Sequence, residues 1–140
     1  MKKHICDVLV VGSGAGGLAS AVSAAHRRLD VLVVEKEPVF GGTSARSGGW
    51  MWIPCNAPAR RAGVEDSKEK ATTYLKHEAG EHFDAARVAA FLDSGPRAVD
   101  FFESETSLQF DLGPFFADYH PTAPGGMDGG RSIVARPFDG

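Results

Sequence analysis

Cysteine is scarce in this chain. Cys6 and Cys55, the two in 140 residues, are too few and too far apart for a disulfide framework or a zinc site, so both read as inert thiols. Positive charge is also short: 15 Lys and Arg stand against 18 Asp and Glu, a formal net charge of −3. Beyond Arg27-Arg28 and Arg60-Arg61 there is no basic cluster, which removes the electrostatic footprint of a nucleic-acid binder. No apolar run approaches membrane-crossing length, and Asp7 interrupts the first one. Neither a membrane span nor a signal peptide is expected, and the expected location is cytoplasmic. The histidines form no ligand cluster, since His77 and His82 are poorly spaced for one helix face, and no metal is assigned. Internal repeats and low-complexity tracts are missing as well. With 43% hydrophobic and 24% charged residues, the composition is that of a globular chain.

What is present is concentrated near the N-terminus. The apolar stretch Val8-Leu9-Val10-Val11 reads as a parallel strand buried on both faces, and it runs into Gly12-Ser13-Gly14-Ala15-Gly16-Gly17. Gly12 permits a tight turn out of the strand. Gly14 lets the backbone approach a pyrophosphate, and Gly17 lets the following helix pack closely on the sheet. Ala15 and Gly16 open that helix, whose free N–H groups and positive dipole end bind an anion without a lysine. The helix continues to His26, with Arg27 and Arg28 suited to its last turn. A second strand, Val31-Leu32-Val33-Val34, ends at Glu35, 23 residues after Gly12 and placed to bind ribose hydroxyls. An acid there repels a 2′-phosphate and argues against NADP. Lys36, beside it, is counted with the cofactor-binding residues.

A second glycine-rich segment follows, Gly41-Gly42-Thr43-Ser44-Ala45-Arg46-Ser47-Gly48-Gly49. Short hydroxyls and bare amides can reach phosphates and a flavin edge without displacing the ring system; the alternative is a surface loop rich in serine and glycine. The order of the two segments, with Glu35 between them, points to FAD. Asp7 to Gly49 resembles the N-terminus of flavoproteins of the fumarate reductase and 3-ketosteroid Δ1-dehydrogenase type. In that family a segment similar to Gly42-Thr43-Ser44 and Ser47-Gly48-Gly49 wraps the FAD.

Further along, Trp50-Met51-Trp52-Ile53-Pro54 is similar to a stretch of the ketosteroid dehydrogenase branch, although read alone Trp52 is a core aromatic. Asp118-Tyr119-His120 and Gly126 to Ile133 also resemble that branch, which has an active-site tyrosine where Tyr119 stands. The chain departs from the family at Ala117, where proline is usual, and at His120, where an aromatic can stand. The resemblance implies a catalytic Tyr119 that supports the principal base, with the remaining groups supplied further along such proteins. A phenol suits that chemistry as donor and acceptor. The implied activity is hydride transfer between flavin and a C–C bond next to a carbonyl, on a small-molecule substrate such as a ketosteroid. The electron acceptor is unspecified. A carboxylate reductase of the fumarate type shares the cofactor motifs, and a truncated, noncatalytic nucleotide-binding fragment is the third alternative.

The fold expected is α/β: a Rossmann-like FAD/NAD(P)-binding βαβ unit, then helices and a loop-rich tail, an incomplete domain. Residues 1–49 carry the βαβ unit and the wrapping loop, 50–112 are mainly helical, and 113–140 are loop-rich. Asp66 and Glu69 suggest a capping box before a helix through His77. A second helix is predicted from Asp84 to Leu92, broken at Ser94-Gly95-Pro96 before a third stretch at Val99, Phe101 and Phe102. Ser107 to Asp111 is a strand candidate. Because the resemblance covers nearly the whole chain and only the first part of a longer family, truncation is expected.

Overall fold

The computed structural model describes residues 3–137; the last part of the expected loop-rich tail, Phe138 to Gly140, lies outside them. The chain forms two compact units that divide between Gly49 and Trp50. Its fold is α/β.

In the first unit, β1 (Val8–Val11) and β2 (Val31–Val34) pair in parallel, Val8 opposite Val31 and Val11 opposite Val34. They are joined by α1 (Ala15–His26), the right length for a crossover, which packs on both strands. Val10 and Ala21 are buried where helix and sheet meet. The expectation that β1 is buried on both faces is corrected: Leu9 is 56% and Val11 79% exposed. One helix covers one face of a two-stranded sheet, and alternate residues point away from it. Arg27 and Arg28 lie past the last turn of α1 instead of in it. Arg27 is the C-cap, and Arg28 takes φ 64°, the left-handed geometry that ends many helices.

The second unit is built on an antiparallel sheet of order β3-β5-β4, formed by Trp50–Trp52, Ser132–Ala135 and Phe110–Leu112. Three helices accompany it: α2 (Ala57–Arg61), α3 (Lys68–Ala79) and α4 (Ala85–Glu105). Ala57, Val99, Phe110 and Ile133 form the core, with Met51, Ile53 and Phe102 packed against it. β4 overlaps the strand expected over Ser107 to Asp111, beginning three residues later and ending one residue beyond it. β3 and β5 occupy positions that the sequence reading gives to a packing segment and to the loop-rich tail.

Two helix boundaries differ from expectation for physical reasons. Ser67, not Asp66, caps α3, its Oγ accepting the Lys70 N–H at 3.1 Å, because the Asp66 carboxylate is turned toward Arg131. α4 runs unbroken through Gly95 and Pro96. A proline inside a helix costs about 3 kcal/mol through its missing N–H and its ring. Here Leu92, Pro96 and Val99 form one buried stripe across the site, and that burial offsets the loss. Gly95 allows the close approach: a Cβ there would lie 3.1 Å from the Ile53 side chain.

Candidate functional site: a glycine cradle and an aromatic cavity

The first unit gathers its glycine segments around Ser13. At the end of β1, Gly12 adopts φ 98°, a left-handed turn open to glycine, and its N–H donates to Val34 O at 2.7 Å. Gly14 is the N-cap of α1 and offers no side chain, so the first-turn amides of Gly16 and Gly17 are left for an incoming acceptor. A Cβ on Gly17 would lie 2.1 Å from Gly12 O, which explains that glycine by packing. One on Gly16 would meet nothing within 4 Å, so space is open in front of the helix end.

Ser13, almost fully buried, is the residue that sequence reasoning passed over. Its amide and its hydroxyl both donate to Glu35 Oε2, at 2.9 and 2.5 Å, and its Oγ accepts the Gly41 N–H at 2.9 Å. The available signal was a hydroxyl at the variable position between two glycines of the fingerprint. Glu35 Oε1 accepts the N–H groups of Lys36 and Glu37 at 2.8 and 3.1 Å. The Ser13 hydroxyl, then the Glu37 and Ser13 amides, pull the Glu35 carboxyl down to about 2. It is a fixed anion at the tip of β2.

The wrapping segment lies against this turn. Gly42 takes φ 56°, a left-handed conformation that favours glycine, and a Cβ there would be in ordinary contact with Gly14 Cα at 3.5 Å. Ser44 Oγ accepts the Ala15 N–H at 3.3 Å from the short 3-10 turn Ser44–Arg46, which begins after Thr43. Ser47 Oγ donates to Ser44 O and accepts the Gly49 N–H, which shapes the backbone through Gly48. The Lys36 side chain is 87% exposed and 3.6 Å from Glu37. Thus Gly12 to Gly17, Glu35 and Gly42 to Ser44 come together, while Lys36 points to solvent.

This donor set fits FAD. Free amides at a helix end suit a pyrophosphate, an ionised carboxylate suits ribose hydroxyls, and backbone bare of Cβ atoms leaves room for both.

The second unit holds a separate cavity of about 350 Å³ lined by Trp50, Trp52, Tyr74, Phe116, Asp118 and Tyr119, among others. Trp50 stacks on Phe116 at 4.5 Å, and Trp52 stacks on Phe91 at 6.2 Å. Trp52 is therefore held as a packing aromatic while one part of it walls the cavity. Tyr119 is 97% exposed, its ring turned out of the core. His120 is tied down by its Nδ1, 2.6 Å from Glu78 Oε2, and by its N–H, 3.3 Å from the Tyr74 hydroxyl. A wider groove between Arg60, Arg61, Asp100 and Glu103 carries paired charges: Arg61 is bidentate to Glu103, and Arg60 meets Asp100 at 2.6 Å.

Comparison with known proteins follows the same lines. Residues 7–140 match the family described as FAD binding domain. The chain is 50% identical over 133 residues to the 3-oxosteroid 1-dehydrogenase of Mycobacterium tuberculosis (strain ATCC 25618 / H37Rv), covering 95% of this chain and 24% of that protein. It is 48% identical over 138 residues to the 4-oxocyclohex-2-ene-1-carboxylate 5-dehydrogenase of Sinomonas cyclohexanicum, covering 99% and 23%. Among solved structures, the 3-ketosteroid Δ1-dehydrogenase of Sterolibacterium denitrificans, in complex with 1,4-androstadiene-3,17-dione, superposes with a TM-score of 0.88 at 40% identity, covering 96% of this chain and 24% of that one. The chain spans about a quarter of the length of each of these proteins.

Proposed function

The chain belongs to the FAD binding domain family and its cofactor is FAD; from that premise we propose that it serves a flavin-dependent dehydrogenation of a cyclic ketone, at a C–C bond near the carbonyl. The observation that carries this reading is the aromatic cavity with the exposed Tyr119 in its lining. Flat apolar walls with few polar groups suit a ring ketone and offer no cationic side chain to a dicarboxylate. The relatives act, by their names, on a 3-oxosteroid and on an oxocyclohexene carboxylate. A 3-ketosteroid is the substrate we favour, because the cavity's apolar lining is extended by Trp50 and Phe116.

When bound, FAD supplies a hydride acceptor. The residues proposed to hold it are Gly12, Gly14, Ala15, Gly16, Gly17, Glu35, Lys36, Gly42, Thr43, Ser44, Ser47, Gly48 and Gly49. In this assignment the α1 amides take the pyrophosphate and Glu35 the ribose. Tyr119 supports proton removal: its phenol, donor and acceptor at once, holds the group that takes the C–H proton. The substrate is a small molecule, and we place the reaction in the cytoplasm; no helix among the described residues is long and apolar enough to cross a membrane.

Turnover of 4-androstene-3,17-dione, 4-oxocyclohex-2-ene-1-carboxylate and fumarate, each with a dye as redox partner, tests the reading in the protein at its full natural length. The expected result is turnover of the steroid. Preference for the carboxylated ring moves the substrate within the ketone class. Turnover of fumarate alone, or of none of the three, rejects the proposal. Tyr119→Phe is expected to lower kcat with FAD affinity unchanged.

A further inference from the structure

Asp118 and His120, on either side of Tyr119, are each tied to a different wall of the cavity. Arg131 has no exposed surface, and each of its three guanidinium nitrogens donates to a carboxylate. Its Nε and Nη2 reach Asp66 at 3.0 and 2.7 Å, and its Nη1 reaches Asp118 Oδ2 at 2.8 Å. The guanidinium lies 5.5 Å from the centre of the Trp52 ring and 5.8 Å from that of Tyr74. Asp118 in turn accepts from Trp52 Nε1 at 2.6 Å and from the Met127 amide at 3.0 Å. Three donors thus converge on the one carboxylate that precedes Tyr119. On the other side, His120 is held by Glu78 and the Tyr74 hydroxyl.

The loop itself is closed. Gly130 N–H donates to Gly113 O at 3.2 Å and Asp118 N–H to Met127 O at 2.9 Å. A Cβ on Gly126 or on Gly129 would fall within 2.5 Å of a backbone carbonyl. A buried ion network of this kind contributes little net stability over well-packed apolar residues, but it specifies one arrangement sharply.

We infer that Arg131 is a positioning residue for Tyr119, acting through Asp118, so that the backbone carrying the phenol stands at a fixed place on the cavity edge. The inference rests on the functional reading of Tyr119 given above. Asp66 anchors the guanidinium from the α2–α3 connection, and the neighbouring rings of Trp52 and Tyr74, 5.9 Å apart, lie together beside it.

The test uses the FAD-loaded protein at its full natural length. Asp118→Asn keeps the side-chain volume and an acceptor for Trp52, yet turns an amide donor toward Arg131. Turnover of 4-androstene-3,17-dione is measured for wild type, D118N, Y119F and the double variant. Asp118→Asn should lower kcat by about tenfold or more while leaving the FAD dissociation constant within about twofold. In the Tyr119→Phe background it should cost no more than about threefold, because the group it positions is gone. An equal loss in both backgrounds overturns the inference and leaves the role of Tyr119 standing. Unchanged kcat in Y119F overturns both.

A second readout does not depend on turnover. Phe115, Phe116 and Tyr119 have exposed side chains of the kind chymotrypsin cuts after, so the cleavage rate in this loop reports how firmly its backbone is held. Cleavage in this loop should rise about tenfold in D118N, or in Arg131→Lys where D118N does not fold, and unchanged cleavage overturns the clamp. A wild-type protein that does not turn over the steroid removes the proposed activity alone, and the cleavage rates then decide whether the clamp exists.

Discussion

Ser13 gives both of its hydrogen-bond donors to a single oxygen of Glu35, at 2.9 Å from the amide and 2.5 Å from the hydroxyl. The pair links the turn after β1 to the tip of β2, and the Gly41 amide joins it through the same hydroxyl at 2.9 Å. One side chain therefore ties the glycine turn before α1 to the Glu35 carboxylate and to the second glycine segment.

Replacing Glu35 removes the charged acceptor while leaving the glycine turn in place. Glu35→Gln is expected to weaken FAD about ten- to a hundredfold, the range for a hydrogen bond to a charged group, without altering the absorbance of the bound flavin. Flavin-fluorescence titration checks it, and equal affinity in the variant would refute the ribose assignment.

Acidity gives a separate prediction. Because the folded carboxyl is held at about 2, below its ordinary value of 4.5, its favourable interactions are complete above 4.5 and fade as pH falls toward about 2. Wild-type affinity for FAD should hold to about pH 4, as far as Glu35 governs it. Ser13→Ala removes the largest cause of the depression, so Glu35 takes up its proton at higher pH. The backbone amides of Ser13, Lys36 and Glu37 still hold the carboxyl below its ordinary 4.5, so the variant should lose FAD at a pH below 4.5 and above the wild-type value of about 2. Titrations across this range decide the matter, and parallel curves would show that the Ser13 hydroxyl is not responsible.

Two adjacent glycines should answer alanine in opposite ways. At Gly17 the new Cβ would stand 2.1 Å from Gly12 O, so helix and turn must separate. An overpacking cost of about 1–3 kcal/mol is expected. At Gly16 nothing lies within 4 Å, and alanine should stabilise α1 by about 0.5–1 kcal/mol in the FAD-free protein. Chemical denaturation of both variants without FAD measures the difference.

Arg131→Met leaves Asp66 and Asp118 buried without their cation. Their side chains are 3% and 1% exposed, so the loss should be about 3–5 kcal/mol, larger than for any surface ion pair such as Arg136 with Asp111. Denaturant midpoints of R131M and of Arg136→Ala make the comparison. Similar shifts would mean that the network is no tighter than a surface pair.

The cofactor side of the protein was legible in the sequence because its determinants are local. Gly12, Gly14 and Gly17 serve a turn and a helix start a few residues long, and Val31 to Glu35 follow at the distance one helix imposes. Backbone sterics and a 12-residue crossover leave few other arrangements, so strand, helix, strand and acid could be placed by spacing. The α3 cap was displaced by one residue and the break in α4 did not occur, since both were settled by partners far along the chain. Asp66 was drawn to Arg131, 65 residues away, and Pro96 was accommodated by burial against the core. β3 and β5 are likewise short strands whose pairing joins Met51 to Ile133. Nothing near either segment announces that contact. The sequence by itself determined the βαβ unit and the nature of the group it binds. Only the tertiary structure decided that Arg131, Asp66, Asp118 and Trp52 meet, because a buried charge finds its partners by what is left facing it when the core closes.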